Sequence, residues 1–449
     1  MFSKVINNLR HDPPKMLVLG FAVIIVIGAF LLTLPAATRS GTGLSWIDAL
    51  FTATSATCVT GLVVVDTGST FTLFGQLVIL SLIQVGGLGF MTFATFFAML
   101  IRRKISLKER LLLRESLNQI SIEGIVRLAR MVIIFTAIIE LAGALLLAVR
   151  FAFDMPLGQA LYFGLFHSIS NFNNAGFDIL GHFNSLTIYV EDPIVNLVIP
   201  ALIILGGIGF IVMAEMYEYR RHKRRVSLHT KVVLTTSAWL IIAGTVAIFA
   251  LEYNNPKTLQ PLSMLGKFFG SFYQSVAART DGSNTISIGD MRHSSLFFMI
   301  ILMFIGASPG STGGGIKTTT FATLLGAVWA QVKGKEDVIF FRQRILPHMI
   351  YKSLTVTVSS LSIVIASSMI LSITEQNVDF LTILFESTSA FGTVGLSMGL
   401  TPHLTDVGRI VITLTMFAGR VGPLTIAFAL AQRKQKEYYR FPKGKIMIG

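Results

Sequence analysis

Four glycine-bearing stretches recur at a nearly constant interval. They are Cys58-Val59-Thr60-Gly61-Leu62, Asn173-Asn174-Ala175-Gly176-Phe177, Thr280-Asp281-Gly282-Ser283 and Phe391-Gly392-Thr393-Val394-Gly395-Leu396. Gly61, Gly176, Gly282 and Gly395 are spaced by 115, 106 and 113 residues. A period this long and regular marks an internal repeat, so the fold must satisfy the same local geometry four times.

The surroundings of each stretch repeat as well. A short apolar segment precedes each one: Trp46–Ser55, Leu157–Ser170, Met264–Val276 and Phe380–Ser389. At about 1.5 Å rise per residue these cover only about half of a ~30 Å hydrocarbon core. Eight longer apolar segments bracket them: Met16–Leu34, Phe74–Ile101, Val126–Val149, Ile194–Met216, Val232–Leu251, Leu296–Ala330, Ile350–Ile373 and Ile410–Ala431. The pattern predicts an all-α polytopic membrane protein. Four M1–P-loop–M2 repeats, with eight transmembrane helices and four re-entrant pore helices, would surround a central pore. The divisions are residues 1–115, 116–222, 223–335 with a broken second span, and 336–449 with the tail.

Charge fits that class. Only 13% of the 449 residues are charged and 53% are hydrophobic, whereas a soluble domain carries about a quarter charged residues. The net charge of +14 could suggest nucleic acid, but 28 of the 37 lysines and arginines fall in five segments on one side of the predicted spans. The positive-inside rule makes that side cytoplasmic, with both termini inside and the loops entering from outside. No nucleic-acid partner is then required; membrane lipid or a cytosolic protein are the partners such basic segments suit. The single cysteine, Cys58, excludes a disulfide framework and reads as packing. The run from Met16 reads as a retained first helix rather than a leader, and Ser106–Gln119 as a short amphipathic helix.

Non-helical backbone survives at membrane depth only when buried in protein or lining water. A selectivity filter exploits this, because inward carbonyl oxygens replace an ion's hydration shell. The candidate ion-binding residues are Cys58, Val59, Thr60, Gly61, Asn174, Ala175, Gly176, Thr280, Asp281, Gly282, Thr393, Val394 and Gly395. Thr393-Val394-Gly395 matches the start of the potassium-channel signature T-V-G-Y-G and then stops. Asp281 has two readings, drawing cations to the filter or capping the following turn.

The sixth apolar segment contains Gly306-Ala307-Ser308-Pro309-Gly310-Ser311-Thr312-Gly313-Gly314-Gly315-Ile316-Lys317. No helix runs unbroken through that composition, since each Gly costs about 1 kcal/mol and Pro about 3. A flexible loop beneath the filter follows, and a gate with it. The gate candidates are Gly306, Gly310, Gly313, Gly314, Gly315, Lys317 and Arg420. Lys317 is expected to snorkel to the cytoplasm. Arg420 lies inside an apolar segment, where a charge is expensive and usually functional. It either sets a fixed charge near the path, pairing with the gate loop, or pairs structurally with Glu386 or a carbonyl. Glu140 and His167 read as satisfied polar groups. Gly86-Gly87-Leu88-Gly89-Phe90 and Gly206-Gly207-Ile208-Gly209-Phe210 repeat a second register and permit close helix approach.

Together these residues resemble the Trk/Ktr/HKT superfamily of potassium transporters, and within it the membrane subunit of bacterial Ktr systems. The resemblance spans residues 16–449. It implies a potassium uptake pore in the cell membrane, with potassium as the ion on the filter carbonyls, no covalent cofactor, often sodium dependence, and no bond-making catalysis. It implies Gly61, Gly176, Gly282 and Gly395 as filter glycines, Gly306 to Lys317 as the gate and Arg420 as the charge below the filter. It further implies a homodimer regulated by a cytosolic RCK-type nucleotide-binding ring. Asp281 stands where the resemblance leads one to expect alanine. The apolar tail Ile446-Met447-Ile448-Gly449 has two readings, packing at the dimer interface or a frayed end. A sodium-coupled transporter of an organic solute is the alternative, and four same-facing repeats argue against its usual inverted pairs.

Overall fold

A computed structural model of the chain describes residues 13–89, 92, 95, 105–116, 124–222, 225–423 and 425. The basic N-terminal arm to Arg10, Phe90, Arg102 to Lys104, Lys223 and Arg224, and the tail with Ile446 to Gly449 lie outside the described residues.

The regular structure of the described residues is α-helical apart from short 3-10 turns, one unnumbered four-residue helix at Thr67–Thr70, and a two-stranded hairpin, β1 (Ile339–Phe340) and β2 (Gln343–Arg344). Its helices are α1 (Pro13–Thr33), α2 (Trp46–Thr57), α3 (Leu73–Leu88), α4 (Leu107–Ser116), α5 (Ile125–Phe151), α6 (Leu157–Phe172), α7 (Pro193–Gly207) and α8 (Phe210–His222). Then come α9 (Leu228–Glu252), α10 (Met264–Ala277), α11 (His293–Phe304), α12 (Thr318–Val332), α13 (Pro347–Thr374), α14 (Phe380–Gly392) and α15 (Asp406–Val421). The order long helix, short helix, loop, second apolar helix occurs four times. Side-chain N-caps fix where many of them begin: Ser45, Thr72, Asp192, Ser227, Ser263, Asp379 and Thr405 each accept a bond from a first-turn amide.

Four of these helices, α1, α5, α9 and α13, are long and apolar enough to cross a membrane unaided. Their outward faces carry exposed Ile138, Leu141, Leu145, Ile242, Val246, Ile365 and Met369, as lipid contact demands. The second helix of each set behaves differently from the expected unbroken span. α3 stops at Gly89 with φ 79°, α7 is followed by Gly209 with φ 96° and turns 98° into α8, and α15 stops before Gly422 with φ 89°. Each of these glycines lies three residues after Gly86, Gly206 or Gly419. A left-handed φ ends a helix at little cost only at glycine. The sixth segment breaks as expected, between α11 and α12. The Gly-Gly-x-Gly runs are therefore helix stops as well as contact points.

The sets pack in a cycle. α3 packs on α6, α7 on α10, α11 on α14 and α15 on α2. Second helices also press against the end of their own short helix. A β-carbon on Gly86, Gly206 or Gly419 would lie 1.9 Å from the carbonyl oxygen of Thr57, Phe172 or Phe391 respectively. Gly306 breaks the series, because its nearest atom is Gly314 O in the loop that follows α11. On the far side, first and second helices are tied by buried carboxylates. Glu252 accepts from Asn255 Nδ2 (2.6 Å), Thr258 Oγ1 (2.6 Å), the Arg292 amide (2.9 Å) and Ser295 Oγ. Glu375 accepts from Thr405 Oγ1 (2.6 Å) and the Thr405 amide (3.2 Å).

The close approach at Gly419 predicts that Gly419→Ala displaces α14. It should lower the yield of monodisperse protein and its melting temperature in detergent. Gly158→Ala is the control, since a β-carbon there meets nothing within 4 Å; equal melting curves for the two variants would contradict the packing described.

Candidate functional site

The four glycine stretches follow the C-termini of α2, α6, α10 and α14, and the structure brings them together. A β-carbon on Gly61 would lie 2.2 Å from Ala175 O, one on Gly176 2.1 Å from Gly282 N, one on Gly282 2.9 Å from Gly395 Cα, and one on Gly395 2.0 Å from Thr60 O. Each loop touches the next, and the last touches the first. No side chain fits at any of the four positions. Cys58, Val59, Thr60, Asn174, Ala175, Thr280, Asp281, Thr393 and Val394 are all buried around this ring. Cys58 sits in an apolar cluster, consistent with packing.

Local geometry repeats in three loops. Val59, Asn174 and Thr393, each two residues before a glycine of the ring, have φ of 59°, 60° and 48°. Such values are rare outside glycine and cost about 1–3 kcal/mol each. The strain is held by hydrogen bonds to the preceding helix. Thr60 N donates to Ser55 O (2.8 Å), Ala175 N to Ser170 O (2.8 Å) and Val394 N to Ser389 O (2.9 Å). Gly61 N and Gly395 N donate to Ser55 Oγ and Ser389 Oγ, both at 3.1 Å. These serines, six residues before the glycine, were not singled out from the sequence, although the repeat alignment carries them in three of four copies. Loop 3 has Val276 there instead, and its Asp281 N bonds to Ala277 O (2.9 Å).

Asp281 does cap. It is fully buried, and its Oδ2 accepts from the Ser283 amide (3.2 Å) and the Ser283 hydroxyl. Behind loop 2, Asn173 Nδ2 donates to Gln84 Oε1 (2.8 Å) and Glu140 Oε1 (3.0 Å), and Gln84 Nε2 donates to Glu140 Oε2 (3.1 Å). Glu140 is a support for the loop, as expected of a satisfied group. His167 Nδ1 bonds to Phe163 O, while its Nε2 has no partner.

The segment Gly306–Lys317 lies against the ring. β-carbons on Gly313 and Gly314 would come 2.6 Å from Thr280 Oγ1 and 2.3 Å from Thr393 Oγ1. Thr312 Oγ1 donates to Asn174 Oδ1 (2.9 Å), and Asn174 Nδ2 donates to Thr280 Oγ1 (2.7 Å). The segment is also stitched to the α7–α8 bend: Ser308 N to Gly207 O (3.0 Å), Thr312 N to Gly206 O (3.3 Å) and Phe210 N to Gly310 O (2.9 Å).

Two cations hold this segment through carbonyls. Arg420 donates to Thr312 O and Gly86 O, and to Gly87 O at 3.0 Å. It joins the segment to the end of α3. It is bonded to carbonyls and not to Glu386, which lies mid-way along α14 and accepts from Ser397 Oγ, the Met398 amide (3.1 Å) and Thr401 Oγ1 (2.8 Å) of the segment that follows the loop. Lys317 does not snorkel away. Its Nζ donates to Gly313 O (2.7 Å) and Gly314 O (3.2 Å), closing its own loop. On the other side of the segment is a cavity of about 670 Å³, bordered by Gly87, Phe210, Gly313, Lys317, Lys352 and Arg420.

The chain matches the family described as TrkH, cation transport protein, over residues 11–439. It is 49% identical over 447 residues to the Ktr system potassium uptake protein B of Bacillus subtilis, covering 100% of this chain and 99% of that one. It is 39% identical to the potassium/sodium uptake protein NtpJ of Enterococcus hirae, covering 98% of both. The crystal structure of the potassium transporter TrkH from Vibrio parahaemolyticus aligns with a TM-score of 0.73 at 17% identity, covering 94% of this chain and 85% of that one, a likeness of fold. With a membrane-type helical fold, a closed ring of four glycine loops and a match across nearly its whole length, the chain belongs to the TrkH family of cation transport proteins.

Proposed function

We propose that this chain takes up potassium across the cell membrane through a channel-like pore formed by the four loops. The observation that carries the reading is the closed cycle of backbone contacts from Gly61 to Gly176, Gly282 and Gly395 and back. A ring of peptide groups that admits no side chain is suited to coordinating a dehydrated monovalent cation. The C-terminal ends of α2, α6, α10 and α14 all meet it, and their partial negative charge favours a cation. The names of the relatives from Bacillus subtilis and Enterococcus hirae support potassium as substrate, with sodium as a second transported or coupling ion.

In this reading the chain has eight spans and four re-entrant helices, divided at residues 1–115, 116–222, 223–335 and 336–449. Both termini are cytoplasmic, and the 670 Å³ cavity is the inner vestibule. Residues Gly306 to Lys317 form the gate, held shut by Arg420 and Lys317 on backbone carbonyls. A homodimer and a cytosolic nucleotide-binding ring complete the assembly; the words "Ktr system" in the names of two relatives support further subunits.

Expression of the chain should restore growth at micromolar potassium to cells lacking potassium uptake, with no accumulation of labelled organic solutes. Gly176→Ala or Gly395→Ala should abolish that rescue, and persistence of potassium uptake in both would refute the filter. For the gate, Arg420→Gln removes donors to the segment. It should raise potassium flux into liposomes by about tenfold, the effect of losing a charge-assisted hydrogen bond. Wild-type flux from Arg420→Gln, and from a variant with Gly313, Gly314 and Gly315 all changed to alanine, would count against gating by this segment.

A further inference from the structure

We propose that Asp281 determines how sharply the pore separates potassium from sodium, by clamping the second and third loops together. This rests on the four-loop filter reading above and adds a role for the Asp281 carboxylate, which acts on the loops and not on the ion.

The four loops are not held alike. In loops 1 and 4 the glycine amide is fixed to its own short helix by Ser55 or Ser389. In loop 2 the equivalent Ser170 turns away and donates to Phe177 O (2.7 Å). In loop 3 the position is Val276, which offers no hydroxyl. The seam between loops 2 and 3 therefore lacks the device that steadies the others. Asp281 fills the gap. Its Oδ2 accepts from the Ser283 amide, and the single proton of the Ser283 hydroxyl is shared between Asp281 Oδ2 and Asn171 Oδ1. Ser283 Oγ lies 2.6 Å from the Tyr273 hydroxyl of α10 and 2.9 Å from Asn171 Oδ1 of α6. The Gly176 amide faces the carboxylate without closing to a tight bond, which leaves Oδ1 with no close partner. Asn171, Tyr273, Asp281 and Ser283 are all buried. One carboxylate thus joins loop 3 to its own helix and to the helix of loop 2.

The consequence is stiffness. A ring discriminates against the smaller sodium ion when it cannot contract around it, and a loosened seam lets it contract. Removing Asp281 should therefore lower selectivity before it lowers conduction.

The test uses full-length protein in liposomes and reads the potassium-to-sodium permeability ratio and the potassium flux. Asp281→Ala should reduce the ratio by about tenfold, the effect of one lost hydrogen bond to a charged group, with potassium flux retained. Ser283→Ala should shift it the same way by less, and decides the matter if Asp281→Ala does not fold. Glu252→Gln removes a similarly buried carboxylate function far from the loops. It should lower the melting temperature with the ratio unchanged, and separates stability from selectivity. A wild-type ratio in Asp281→Ala, or in Ser283→Ala where that variant decides, overturns the proposal. Gly176→Ala tells the two readings apart: if it abolishes potassium flux while the Asp281 variant keeps both flux and the wild-type ratio, the filter stands and the clamp alone fails.

Discussion

A buried peptide group without a partner costs several kcal/mol, and this fold buries four stretches of non-helical backbone. Everything around them serves to satisfy that backbone. The last turns of the short helices offer carbonyls to the loop: the amides of Thr60, Ala175 and Val394 donate to serine carbonyls five residues back. The serine hydroxyls take two further glycine amides. The strain at Val59, Asn174 and Thr393 persists because these bonds and the neighbouring loops over-determine it.

Closure follows from the same demand. A single loop could not bury itself, so each leans on the next, and only a cycle leaves no loop exposed. The helices repeat the cycle in the same sense, each second helix on the short helix of the following set. Glycine is required at both levels, once where loops meet and once where Gly86, Gly206 and Gly419 pass a helix-end carbonyl. Two registers of glycine therefore describe one object, the ring and its supports.

That is why so much was legible in the sequence. The glycine period located the ring, and the half-length apolar segments located the short helices, whose ends at Thr57, Phe172, Ala277 and Gly392 lie one to three residues beyond the expected ones. Composition alone broke the sixth segment at Pro309 and its glycines. What stayed hidden depended on conformation or distant partners. Gly89 and Gly209 read as small contact residues and Gly422 was not singled out, because an apolar run does not reveal which glycine takes positive φ. Lys317 read as a snorkelling cation because its acceptors are carbonyls, which every residue has. Asp281 was ambiguous because its network reaches Asn171, 110 residues earlier in the chain. Ser55, Ser170 and Ser389 were visible in the repeat and would have emerged from aligning the four copies.

The third repeat shows how asymmetry can be introduced without losing the ring. Its loop gave up the supporting serine, and its second helix gave up the close pass that Gly86, Gly206 and Gly419 make, with Gly306 resting on Gly314 instead. Both departures free the same region, the space below Thr280 and Thr393, and the Gly306–Lys317 segment occupies it. That segment would be loose by composition, so it needs ties that can be undone. Carbonyl–cation bonds suit this better than carboxylate–cation pairs. Breaking a buried pair by moving one partner strands a charge at a cost of several kcal/mol. A guanidinium that leaves Thr312 O keeps Gly87 O and a cavity that admits water. Among the described residues Arg420 bonds to backbone carbonyls and to no carboxylate, so in the proposed gate reading its release strands no partner charge.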